Sequence, residues 1–413
     1  MVKDENYHLM GKRRFMKALS GLGLSATAVS LMSQSALAEL TDNPENEVPR
    51  VKFVRGSPND PKNAEAEYYT ISRDEWEYTQ SRYRAGQNLL RSFKNQGIDP
   101  TGIDVVVKTQ SGRNKDKVVS VQINPEQRKI LPQNEKRSVE SLRDVIPEKA
   151  SAELEINQKS VTREVPIIVE EEAGFDTTDE QESTEVTTQS SHWYYDYRYR
   201  PIPGGCRIRP QKPDGSWTNC TGGIRSWDLD RGEYVYVTAA HCFDAETGQT
   251  MGQRYSYQDV GETDKIAYND RNWIGSRMDS ATVALNDSVD TTARMAADDG
   301  GYFSNPVRGY VHTDWLQDNE GGGASLGKLG ITTGHTAGNI NNVSVSNDYF
   351  TTNADRDGGD SGGPHFYIDP DSSNYDFYMA GIHRGSTYSG NARGIIYQNI
   401  MEEHNLSLGL SYQ

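Results

Sequence analysis

The hydrophobic pattern of this chain changes near its middle. Over Asp74–Lys94, Trp76, Tyr83, Leu90 and Phe93 recur at helical spacing, which predicts an amphipathic helix. Ile103–Val107 and Val118–Ile123 alternate as strands, and Val165–Glu170 is a weaker extended run. Residues 170–191 are Glu, Asp, Thr and Ser with almost nothing apolar, which predicts a solvated, mobile linker. Beyond it the chain turns to short β runs, such as Tyr234–Thr238 and Asp279–Leu285, separated by Gly, Asn and Asp turns. A helix is expected only near the end, at about 397–405. The pattern predicts a small α+β region followed by an all-β region closed by a C-terminal helix.

The first residues read differently. Lys12-Arg13-Arg14-Phe15-Met16-Lys17 is basic, residues 18–32 are mildly apolar, and Ala36-Leu37-Ala38 fits a small-x-small cleavage site. The order is that of a cleaved export signal, and the basic run resembles a twin-arginine signal. The expected organisation is a signal peptide at 1–38, an α+β region with its acidic linker at 39–190, and a β domain at 191–413.

Composition narrows the function. The chain has 413 residues and a net charge of −16. That surplus argues against nucleic-acid binding, which needs clustered basic residues. A quarter of the residues are charged, which leaves no room for a polytopic membrane protein. Neither His-x-x-x-His nor Cys-x-x-Cys occurs, so no metal or other cofactor is expected. The three cysteines, Cys206, Cys220 and Cys242, admit three single pairings.

The candidate chemistry lies at three places. Asp357-Gly358-Gly359-Asp360-Ser361-Gly362-Gly363-Pro364 sets a serine among glycines, where backbone N–H groups are free to face a ligand. Tyr234–Cys242 is a β run ending in Thr-Ala-Ala-His-Cys. Asp279 opens the strand-like run between them; Asp264, Asp270 and Asp287 are rivals that lack such a run. A serine hydroxyl needs a base to take its proton as it attacks, and imidazole suits that task near neutral pH.

Thr-Ala-Ala-His-Cys followed downstream by Gly-Asp-Ser-Gly-Gly-Pro resembles the chymotrypsin/trypsin family of serine peptidases, in that family's order of His, Asp and Ser. The strand Gly330–Ile340, with its Thr-Gly-x-x-x-Gly pattern, is similar to the secreted bacterial, streptogrisin-like members. The resemblance implies two antiparallel β-barrels with the active site between them. It implies catalytic roles for His241, Asp279 and Ser361, and an oxyanion hole from the amides of Gly359 and Ser361. It pairs Cys220 with Cys242, closing a loop worth roughly 3 kcal/mol. It also makes Asp360 a structural residue held by a cation, whose identity the motif does not supply.

Substrate preference is read from two opposed clues. Asp355 lies six residues before Ser361, where basic-specific members carry an acidic pocket residue. Ala380-Gly381-Ile382-His383-Arg384-Gly385-Ser386 looks like glutamyl endopeptidases, which makes His383, Arg384 and Gly385 the substrate-binding residues of an acid-preferring site. The second clue weighs slightly more.

Ile202-Pro203-Gly204-Gly205 resembles the mature start of family enzymes, but Pro201 before it disfavours cutting there. The reading is therefore an exported serine endopeptidase acting on proteins or peptides, with the region 39–190 as an intramolecular inhibitor or folding aid. No membrane attachment is expected after signal removal. The alternatives are a catalytically inactive binding protein on the same scaffold, and an envelope-binding N-terminal module that carries a peptidase.

Overall fold

A computed structural model describes residues 43–408, apart from 44, 58–59, 110–115, 130, 132–138, 157–158, 172–174, 177–194, 196, 245–246, 254–260, 262–263, 275–277, 288, 347 and 388–389. The expected signal peptide and most of the acidic linker lie outside these residues.

The N-terminal region begins with a hairpin of β1 (Glu47–Ser57) and β2 (Asp60–Ser72). Helix α1 (Arg73–Asn95) follows. Ser72 caps it by accepting the Glu75 amide at 3.2 Å, and Asp74 and Glu75 sit favourably in its first turn. Gly97, at φ +65°, lets the chain leave the helix. Next come β3 (Ile103–Thr109), β4 (Lys117–Ile123), two one-turn helices, β5 (Lys149–Ile156) and β6 (Lys159–Glu171). The expected helix face is present, with Trp76, Tyr83 and Phe93 buried and Leu90 half-buried. The hairpin β1–β2 was not expected. Charged residues interrupt its apolar pattern, and one of them, Arg50, is wholly buried.

The short strand β7 (Phe175–Asp176) and the segment from Tyr195 lead into the first barrel. Tyr195 and Tyr199 are buried in the same hydrophobic cluster as Val235 and Phe243. The barrel is built from β8 (Ile202–Gly204), β9 (Arg207–Pro210), β10 (Cys220–Thr221), β11 (Arg225–Asp228), β12 (Glu233–Thr238), β13 (Thr250–Gly252), β14 (Lys265–Ile274), β15 (Asp279–Leu285) and β16 (Thr291–Met295). Its main sheet curls in the order β10-β9-β13-β14-β15-β12-β11. Ile202, the motif's candidate mature start, is buried in β8, and its amide donates to Asp290 O at 2.8 Å.

The second barrel takes β17 (Val307–Val311), a short helix α2 (Thr313–Asp318), β18 (Ser325–Gly330), β19 (Gly334–Ser344), β20 (Tyr349–Thr352), β21 (Pro364–Ile368), β22 (Phe377–Thr387) and β23 (Ala392–Ile396). The pairings β22–β21–β18–β19–β20–β23 return to β22 and close the barrel. Helix α3 (Tyr397–Glu403) then crosses back, and β24 (Leu406–Ser407) pairs with β11 of the first barrel. The two-barrel fold with a C-terminal helix is as expected. Among the described residues no helix is long and apolar enough to cross a membrane.

The N-terminal region is woven into the second barrel. β1 pairs antiparallel with β17, setting Phe53 opposite Val311. β3 pairs antiparallel with the end of β19, setting Val106 opposite Ser344. Phe53, Tyr83 and Val107 share one buried cluster with Val311, Trp315, Phe350, Tyr378 and others of the barrel. The Phe53 and Tyr378 rings stack at 3.7 Å. Arg50 meets Asp318 and Asp314 at 2.9 and 3.1 Å, and Asp104 receives the hydroxyls of Ser344, Ser346 and Tyr349. Burying one such phenyl ring contributes about 2–3 kcal/mol, so this junction has the character of a domain core.

Candidate active site

The alternating Tyr-Val-Tyr-Val of β12 suits a half-buried strand, and the small residues after it allow a tight turn. That turn is the 3₁₀ segment Ala240–Phe243, which carries His241 out of the sheet. The register of β12 against β15 pairs Thr238 with Ala281, so Asp279 falls opposite the turn. Its Oδ1 accepts the amides of Ala240 and His241 at 2.8 and 3.1 Å. Its Oδ2 lies 2.5 Å from His241 Nδ1. A carboxylate here fixes both the turn and the ring it carries.

Asp279 is fully buried. Burial alone would push its carboxyl pKa up, but the charge and hydrogen bond of His241, and then the charge of Arg384, outweigh it and hold the pKa at about 2. Two rivals pair elsewhere, Asp264 with Arg198 and Asp270 with Arg231, and Asp287 is exposed.

Ser361 reaches this place on the loop between β20 and β21. The Thr221 amide donates to the Ser361 carbonyl at 2.9 Å, and the Cys242 sulphur lies 3.9 Å from the same oxygen. The next residues are glycines of necessity. Gly362 has φ +85°, and a Cβ there would stand 2.1 Å from Thr238 Oγ1. Gly359, at φ +92°, accepts the Thr221 hydroxyl on its carbonyl at 2.8 Å; the Gly358 carbonyl accepts the Thr332 hydroxyl at 2.5 Å, so the Gly359 N–H, at the opposite edge of that peptide, faces away from Thr332. The loop thus brings Ser361 to the His241–Cys242 turn. The disulfide between Cys220 and Cys242 is present and ties that turn to β10. Cys206 remains a free, buried thiol whose pKa burial raises to about 12; Gln253 Nε2 donates to its sulphur at 3.2 Å.

The cation that holds Asp360 is Lys328. Its Nζ lies 2.7 Å from Asp360 Oδ2, and both side chains are wholly buried. Asp360 also receives the amides of Thr332, Thr333 and Asp357 and the Thr333 hydroxyl. Sequence reasoning missed Lys328, although a lysine inside the strand Ser-Leu-Gly-Lys-Leu-Gly is itself a signal. Every other inward position of that strand is apolar or glycine.

The candidate substrate residues separate. Asp355 is exposed, and its Oδ1 accepts the Arg356 amide at 2.9 Å. His383 is buried in β22, with its Nδ1 3.2 Å from His365 Nε2. Burial, then neighbouring cations, drives the pKa of His383 well below its usual range. Burial, then the charge of His383, does the same for His365. Both rings are therefore neutral at pH 7. Gly385 sits in a β-bulge at φ +145°. Arg384, in the same bulge, points its Nε at Asp279 Oδ2, 3.4 Å away. His365 was not expected; its position opposite Gly381 on β21 gives no local motif to find it by.

Residues 231–402 match the family model described as Trypsin. Solved structures similar to the chain include Thermobifida fusca Protease A, at 20% identity over 50% of this chain and 98% of that one, with a TM-score of 0.36. Others are the chymotrypsin of Cellulomonas bogoriensis, at 19% identity over 51% of this chain and 98% of that one, TM-score 0.35, and a glutamic acid specific serine protease said to use a histidine triad in substrate binding, at 19% identity over 50% of this chain and 100% of that one, TM-score 0.36. No curated protein sequence matches the chain. The matched residues run from just before β12 almost to the end of α3, and over that stretch the chain is similar to the trypsin family.

Proposed function

We propose that the chain is an exported serine endopeptidase, made as a proenzyme, that hydrolyses peptide bonds through an acyl-enzyme. The observation that carries this reading is the Asp279–His241 contact at 2.5 Å beside the loop that bears Ser361. Ser361 Oγ attacks the scissile carbonyl carbon while His241 Nε2 takes its proton. The resulting oxyanion meets the amides of Gly359 and Ser361, each donor worth on the order of 10²–10³ in rate. The imidazolium, stabilised by Asp279, returns the proton to the leaving amine. Water then repeats the sequence on the acyl-enzyme and restores the serine.

The preferred residue before the cut is acidic in this reading. The short His365–His383 contact needs one donor. If His365 Nε2–H donates, His383 holds its own proton on Nε2 and offers an N–H to a substrate carboxylate. His365 Nδ1 is then a bare acceptor, which fits its burial without a partner among the described residues. The exposure of Asp355 weighs against a basic preference.

The N-terminal region acts as an inhibitor or folding aid. In support, β7 pairs antiparallel with the end of β22, Asp176 opposite Ser386, where an extended substrate would add its own strand. The shared core favours a second reading of its fate: once the linker is cut, the region stays bound as a subunit.

Labelling by a fluorophosphonate tests the enzyme reading. The wild-type protein, matured by linker cleavage, takes the label and Ser361→Ala does not. An unlabelled, fully folded wild type returns the chain to the class of inactive binding proteins on this scaffold.

A further inference from the structure

Asp279 takes three hydrogen-bond contacts from the His241 turn itself, and Oδ2 also forms an ion pair at 3.4 Å with Arg384 Nε, which crosses from the second barrel. The crossing is built into β22. Opposite β23, His383 pairs with Gly394 and Gly385 with Arg393, so Arg384 is the extra residue of a bulge. A bulge re-aims the side chain it carries. Here it sends Arg384 to the carboxylate, while its neighbour His383 lies against His365.

We propose that Arg384 is a positioning residue of the proton relay rather than a ligand of substrate. It holds Asp279 across the barrel junction, and its fixed charge sets the pH at which His241 takes a proton. The inference rests on the triad reading above. Through the shared Oδ2, the guanidinium stands close to the imidazole ring. A like charge at such range opposes the imidazolium, so His241 stays a free base to lower pH. The other charged or titratable groups facing this pair are Arg393 on β23, which acts on Asp279, and neutral His383 on β22.

The test follows the His241 imidazole by ¹⁵N NMR against pH in the full chain with Ser361→Ala, and kcat/KM against pH in the active enzyme on paired Glu and Gln peptides. Arg384→Gln should raise the His241 midpoint and the acid limb of kcat/KM together, by about one unit, equally for both peptides. Arg384→Lys should bring both back toward wild type. An unmoved midpoint overturns the proposal, as does a loss confined to the KM of the Glu peptide. Should Arg384→Gln not fold, Arg384→Met keeps the apolar stem and takes its place. The NMR arm needs no turnover, so a failure of the enzyme reading shows in the fluorophosphonate labelling, separately from the charge effect on His241.

Discussion

Lys328 Nζ and Asp360 Oδ2 meet at 2.7 Å with neither side chain open to water. Both partners belong to the second barrel, Lys328 on β18 and Asp360 in the Ser361 loop itself.

Breaking one partner of a buried pair costs about 3–5 kcal/mol. Asp360 keeps four other donors, so Lys328→Met should fall at the low end of that range. Urea denaturation in a Ser361→Ala background measures it. In the active enzyme, kcat/KM should drop at least tenfold, because the amides of Gly359 and Ser361 flank Asp360.

Asp279→Asn should leave the fold intact and lower kcat by about 10⁴. The same substitution changes acid stability. The carboxyl pKa is depressed to about 2 in the fold, so its contribution is complete above the unfolded value and lost as pH falls toward 2. That contribution is about 2 kcal/mol. Between pH 4 and 2 the stability of Asp279→Asn should therefore fall less steeply than that of the parent, as read by urea midpoints.

The histidine pair acts at milder pH. His365 and His383 are buried and neutral, and their folded pKa values lie below the unfolded one. The unfolded chain binds their protons first, so stability declines as pH drops below about 6.5, by up to roughly 2–3 kcal/mol per ring at pH 4.5. The double variant His365→Leu, His383→Phe should flatten this slope. The part that persists is shared by His312, His335 and His404, whose pKa values burial also lowers.

Cutting the linker should not separate the pieces. A nick between 177 and 194 leaves β1–β17, β3–β19 and the Phe53 cluster intact. Both fragments should co-elute on size exclusion in dilute buffer. Phe53→Ala removes about 3–5 kcal/mol of packing and should release the N-terminal piece; co-elution that survives it would place the main adhesion elsewhere.

The site was legible because its chemistry is written in local runs. Thr238–Cys242 carries a turn of small residues and an imidazole, and Asp357–Pro364 carries a turn, a hydroxyl and the glycines that shape it. Asp279 could be ranked above its rivals because a strand follows it. Lys328 and His365 were not legible: each is one residue in a strand, and only the closure of the barrel brings them to Asp360 and His383. Arg384 was read with His383 as one recognition pair, but the bulge sends their side chains to different partners. In the N-terminal region α1, β3 and β4 announced themselves by periodicity. β1 did not, because its burial of Arg50 depends on acids far downstream in α2.

That distance in sequence governs the order of assembly. Arg50 and Asp318 are 268 positions apart, so the ribosome makes most of the protein before the arginine has a partner. The first-made segment must wait, with a strand edge unfilled, for the last-made barrel to arrive. Such non-local closure slows folding, and a nascent chain of this kind has reason to be met by a chaperone.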